Sequence, residues 1–132
     1  MDHGTPSPRV HAVRERLVAE VRGLLGDRAA DVCGASMERR EDPAYDFNEP
    51  LLERALAAPP FDAGDVVVAM QFLLPGKHAG AGGDVADIVE RARSEGGGRL
   101  RVHTTQLLGK HPLVLSVLAD RVNSKLESEQ PS

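Results

Sequence analysis

The sequence predicts an α/β fold: a doubly wound parallel sheet with helices on both faces, in which the usual first strand is missing. Three observations predict it. Helical and strand-like patterns alternate along the chain in the order helix, strand, helix, strand, helix, strand, helix, which argues for parallel strands joined by crossover helices. Residues 65–74 (DVVVAMQFLL) are almost continuously apolar, as in a strand covered on both faces. A glycine-rich loop follows residues 65–74, at the carboxyl edge where open α/β sheets bind ligands. A doubly wound sheet usually begins with a strand, whereas here a helix pattern begins almost at Met1.

Ser7 followed by Pro8 reads as an N-cap and first helical residue. Val10, Val13, Leu17, Val21 and Leu24 then recur every three or four positions, with Arg14, Glu15, Arg16, Glu20 and Arg22 between them. This is an amphipathic helix ending at Gly26. Residues 29–37 are small and apolar and read as a weak strand, with Cys33 a small buried residue. A charged, irregular stretch covers residues 38–47. Asn48 is placed to cap a helix carrying Leu51, Leu52, Ala55 and Leu56, which Pro59 and Pro60 stop.

After the strand over 65–74, Asp84 is placed to cap a helix with Val85, Ile88, Val89 and Ala92 on one side. Gly96, Gly97 and Gly98 end it. Residues 99–106 are β-branched enough for a strand. Residues 109–112 open a last helix bearing Leu115, Leu118, Ala119, Val122 and Leu126. Residues 1–126 form one domain on this reading, and 127–132 a disordered tail.

Composition narrows the function. Of 132 residues 41% are hydrophobic but only 3% aromatic, so aliphatic side chains build the core. The net charge of −4 argues against bulk attraction to nucleic acid. A single cysteine fits a reducing compartment, the opening residues carry no signal-peptide pattern, and no apolar run could span a bilayer. A cytoplasmic protein with no membrane partner is expected.

The chemistry-bearing residues gather on the loops. His78 follows the strongest strand, in a loop loosened by Gly76, Gly80, Gly82 and Gly83. An imidazole there can bind a divalent metal or move a proton near neutral pH. His3 precedes the first helix; it shares that edge if a strand leads into it, and is otherwise an incidental residue of a disordered start. Glu38 stands where the weak strand ends, as a carboxylate ligand or proton acceptor, or as a solvated charge. Arg39, Arg40, Lys77 and Lys110 could pair with substrate carboxylates or be ordinary surface charge. His11 and His103 read as structural or half-exposed, and His111 as a helix-start cap. The GxxxxGK[ST] phosphate loop is absent, which excludes that mode of nucleotide binding.

Four segments resemble, in order, those of the short sirohydrochlorin chelatase family, and a fifth also matches. Asp2 to Pro8 (DHGTPSP) is similar to its His-Gly-Ser motif. Ser36, Met37 and Glu38 are similar to the end of its second strand, where an acidic ligand lies. Phe72 to His78 (FLLPGKH) is similar to its third strand-to-loop motif with a second essential histidine. Leu108 to Leu113 (LGKHPL) is similar to the motif before its last helix, and Asn48 to Pro50 (NEP) to a helix start. The resemblance covers residues 2–123 and implies a flavodoxin-like sheet.

It also implies insertion of Co2+ or Fe2+, as substrate, into a reduced tetrapyrrole, with no organic cofactor. His3 and His78 would hold the metal and take up protons, with Glu38 a third ligand or base. Arg39, Arg40, Lys77 and Lys110 would face tetrapyrrole carboxylates, and a homodimer would complete the cleft. The family's buried first strand, ahead of the histidine, has no counterpart here. An upstream start, a tandem arrangement or a strand from a partner chain would each account for that. A non-catalytic module that holds metal or tetrapyrrole is the rival reading.

Overall fold

A computed structural model describes residues 1–128. Helix α1 spans Pro8–Leu25, α2 Leu52–Leu56, α3 Asp84–Glu95 and α4 Pro112–Ser128, while strands β1 and β2 span Gly64–Val68 and Leu100–Thr104. No described helix is long and apolar enough to cross a membrane.

The two strands pair in parallel, with Gly64 opposite Leu100 and Val68 opposite Thr104. The sheet has these two strands and is smaller than the sequence predicts. Its order nevertheless continues through single bridges. Asp2 pairs with Ser36, and Ser36 with Leu51, both in parallel. The Asp2 amide donates to the Ala35 carbonyl at 3.1 Å, and the Met37 amide to the Asp2 carbonyl at 2.8 Å. On the other flank the Met1 nitrogen donates to the Ala69 carbonyl at 2.8 Å, and the Gln71 amide to the Met1 carbonyl at 2.9 Å. Residues 1–3 therefore lie between residues 35–38 and 69–71, with β2 beyond β1.

One face of the sheet is well covered. Helix α3 lies against β2 and touches α2. Val68, Leu100 and Val102 meet Leu52, Leu56, Val85, Ile88 and Val89 there, and Met70 extends the core toward the loop edge. Burying a Val, Leu or Ile side chain stabilises by roughly 1.5–3 kcal/mol, so this layer accounts for most of the driving force. The helix signals read from sequence hold for both ends of α1 and for the end of α3: Ser7 and Gly26 bracket α1, and Gly96 closes α3.

The opposite face departs from expectation. Residues 65–74 were expected to be covered on both sides, yet only residues up to Val68 form strand and Val67 is 65% exposed. The reason is the neighbouring charge. Asp65 accepts from Arg101 Nε at 2.8 Å and lies 3.1 Å from His103 Nε2, so this face is polar and bare. The aliphatic stripes read from the sequence do not cover it but are turned to solvent: Val10, Val13, Leu17, Val21 and Leu24 on α1, and Leu115, Leu118, Val122 and Leu126 on α4.

Four local readings also need correction. Residues 29–37 form no strand, since only Ser36 bridges, and Cys33 is exposed because the stretch before Gly34 lies outside the core. Asn48 does not cap a helix: it ends a 3-10 helix over Pro43–Asn48, and α2 starts later, after Leu51. Asp84 is the first residue of α3 rather than its cap, a position Gly83 takes. Helix α4 continues through Ser128, where a tail from residue 127 was expected; residues 129–132 lie outside the described residues.

Candidate functional site

The carboxyl edge of the strands brings His3 and His78 into contact. Their ring centroids are 4.8 Å apart, with the planes inclined at 67°. Each ring has a carboxylate of its own. His3 Nε2 lies 3.4 Å from Glu38 Oε1, and His78 Nδ1 lies 2.5 Å from Asp84 Oδ2. The four side chains form a row: Glu38, His3, His78, Asp84. All are partly exposed, the His78 side chain least, at 32%.

Backbone pairing and a glycine deliver His3. The Glu38 amide donates to the His3 carbonyl at 3.1 Å, which locks the two segments side by side. Gly4 then turns the chain at φ +97°, a conformation that side chains rarely adopt. A Cβ on residue 4 would collide with the Glu38 carbonyl oxygen, so only glycine allows this approach.

His78 is delivered by the loop between β1 and α3. Ala79 beside it is buried, and the Val85 amide donates to the His78 carbonyl at 3.2 Å. Gly83 packs against the carbonyls of Lys77 and His78. With Nδ1 turned to Asp84, the His78 Nε2 is left to meet a ligand. A carboxylate behind an imidazole fixes its tautomer and orientation and raises its basicity as a ligand. Sequence reading missed this role of Asp84. A carboxylate in the first helical turn, six residues after a loop histidine, was the available signal.

The basic candidates divide. Arg39 is committed within the protein: its Nε donates to Glu49 Oε1 at 2.8 Å and its NH2 lies 3.1 Å from Asp46. That guanidinium holds the Glu49 carboxyl below the usual carboxylate range. Arg40 is exposed, donating to the Tyr45 hydroxyl at 3.0 Å and lying over its ring. Lys77 and Lys110 are exposed. His111 Nδ1 accepts from the Leu113 amide at 3.3 Å, in keeping with a capping role.

Two clefts flank the row. One of about 640 Å³ runs beside the His78 loop, with Pro75, Ala79, Gly80, Thr105 and Lys110 in its wall. The other, about 310 Å³, includes Glu38, Arg39, Asp84 and Arg91. The row thus has imidazoles at its centre, carboxylates at both ends and cationic side chains around it. Among the described residues no three His, Cys, Asp or Glu side chains converge closely enough to hold an ion together.

No curated protein and no solved structure matches the chain. A family model described as CbiX matches residues 1–125. The chain therefore belongs to the CbiX family, the sirohydrochlorin chelatases, which insert a divalent metal into a tetrapyrrole.

Proposed function

We propose that this protein inserts Co2+ or Fe2+ into sirohydrochlorin. The observation that carries the reading is the contact between His3 and His78, each backed by its own carboxylate. Insertion must strip water from the ion and remove two pyrrole protons. Imidazole nitrogens suit both tasks, because they bind borderline first-row metals and accept protons near neutral pH. His78 offers Nε2 to the ion while Asp84 steadies Nδ1. His3 and Glu38 supply the second imidazole and a carboxylate that can complete the ligand set or take up a proton. Lys77, Lys110 and Arg40 would meet substrate carboxylates; Arg39, tied to Glu49 and Asp46, would contribute by shaping the loop that carries Glu38.

Neither flanking cleft encloses a molecule as broad as a tetrapyrrole. A second copy would supply the opposite wall, and the aliphatic stripes of α1 and α4 give it surface to bury; we expect a homodimer. We further expect residues 1–126 to behave as one cooperative domain and the protein to work in the cytoplasm.

The test follows sirohydrochlorin absorbance after Co2+ or Fe2+ is added without oxygen. Wild-type protein should accelerate the change over the spontaneous reaction, and a rate equal to background would refute the chelatase reading. His78→Ala should lower the catalysed rate by roughly 10²-fold or more, the scale of a lost general base. One observation favours the rival reading, a module that holds metal or tetrapyrrole without insertion: the row contains no convergent set of three ligands. Tight Co2+ binding without turnover would decide for it.

A further inference from the structure

The buried polar side chains among the described residues are Arg14, Ser36 and Asn48, at 2%, 0% and 1% exposure. All three bond to the segment that carries His3. Asn48 grips Thr5 twice: its Oδ1 accepts from the Thr5 amide at 2.9 Å and its Nδ2 donates to the Thr5 carbonyl at 2.9 Å. Arg14 NH1 donates to Ser36 Oγ at 2.5 Å, and Ser36 Oγ donates to Asp2 Oδ1 at 3.1 Å. The same Asp2 oxygen accepts from the Gly4 amide at 3.2 Å and lies 3.5 Å from Arg14 NH1. His3 and Gly4 are thereby bracketed, by Asp2 on one side and Thr5 on the other.

This arrangement is a poor choice for stability alone. A buried charge must be desolvated, and apolar residues of similar volume often serve as well or better. Yet α1 has Arg14 as its buried residue and turns its aliphatic stripe outward. Polar bonds instead supply direction, which dispersion contacts lack. No buried side-chain nitrogen or oxygen lacks a partner among the described residues, so the bracket is fully satisfied.

We infer that Arg14, Ser36 and Asn48 are positioning residues that hold the His3 turn against His78. The inference rests on the reading of His3 and His78 as a metal-handling pair. Its test therefore has one readout independent of metal, the NMR cross-peak between the His3 and His78 ring protons, and one with Co2+ alone as probe. Wild-type protein should show the cross-peak. Asn48→Ala should abolish it while the protein still unfolds cooperatively, and Co2+ binding should weaken on the order of 10–100-fold, as when a metal ligand loses its outer support. Asn48→Asp keeps an acceptor for the Thr5 amide and should recover part of both signals. Leu100→Val, a core change at the amino end of β2 and so opposite the loop edge, should keep both signals despite lower stability.

If Asn48→Ala does not fold, Ser36→Ala is read in the same way. A cross-peak that is absent from wild type, or that persists in Asn48→Ala and Ser36→Ala, overturns the inference. A wild-type protein that shows the cross-peak but binds no Co2+ removes the metal reading and leaves the bracket standing.

Discussion

The two histidines reach the same spot by opposite means. His3 is held by distant parts of the chain: Glu38 on one flank, residues 69–71 on the other, and Asn48 and Arg14 behind. His78 is held locally, by a glycine-rich loop and a carboxylate six residues later. A tertiary bracket can be broken from many positions and gives little slack. A local loop can be broken in few places and can adjust.

The largest expected difference between the two arms lies in their glycines. Gly4→Ala forces a side chain into a positive-φ position that also abuts the Glu38 carbonyl. The backbone strain alone should cost about 1–3 kcal/mol, and the collision adds to it by pushing His3 away from Glu38. Thermal unfolding and Co2+ titration should both register the change. Gly82→Ala, at φ +71° but with open space around it, should show the strain alone and keep Co2+ affinity close to wild type. Equal losses of affinity in the two variants would erase the distinction between the arms.

A smaller effect is expected behind His78. Asp84→Asn removes the charge that steadies Nδ1 but leaves the loop in place. Co2+ affinity should fall about 10-fold, the lower end of what outer-shell partners contribute, with little change in melting temperature. A loss as large as that of His78→Ala would mean that Asp84 meets the ion itself.

The smallest effect lies away from both arms, on the bare face of the sheet. Arg101 and His103 hold the Asp65 carboxyl well below its ordinary value. A carboxylate whose pKa is lowered by folding stabilises the folded state above its unfolded pKa, near 4. That contribution is lost as the pH falls from there toward the lowered folded value. Asp65→Asn should flatten the acid limb of a stability-versus-pH curve slightly and leave the site untouched. The effect stays small because these side chains are solvent-screened.

The parts of this molecule legible in the sequence are those governed by neighbours along the chain. Ser7, Pro8 and Gly26 mark α1, and the three glycines after Glu95 close α3, because capping is decided within a turn. The position of β2 follows from its β-branched run. Periodicity shows which side of a helix is aliphatic, but not what lies opposite. It therefore missed that Arg14, not Leu17, faces the protein. The bonds from Asn48 to Thr5 and from Ser36 to Asp2 span 43 and 34 residues, beyond any local pattern. The same limit made Asn48 read as a cap. The His3 and His78 pair was found through motif order, while Asp84 escaped because its helical position supplied a sufficient local role.

The placement of residues 1–3 also sets a clock. Met1 pairs with Ala69, 68 residues away, so at ribosomal speed roughly 3–14 s separate the synthesis of the two partners. Closing contacts over such separations is slow compared with forming α1 or α3. Residues 1–3 are thus among the last to find their seat. In refolding, recovery of helical signal should run ahead of recovery of metal binding, and the interval between them measures how long the protein is folded in outline but chemically idle.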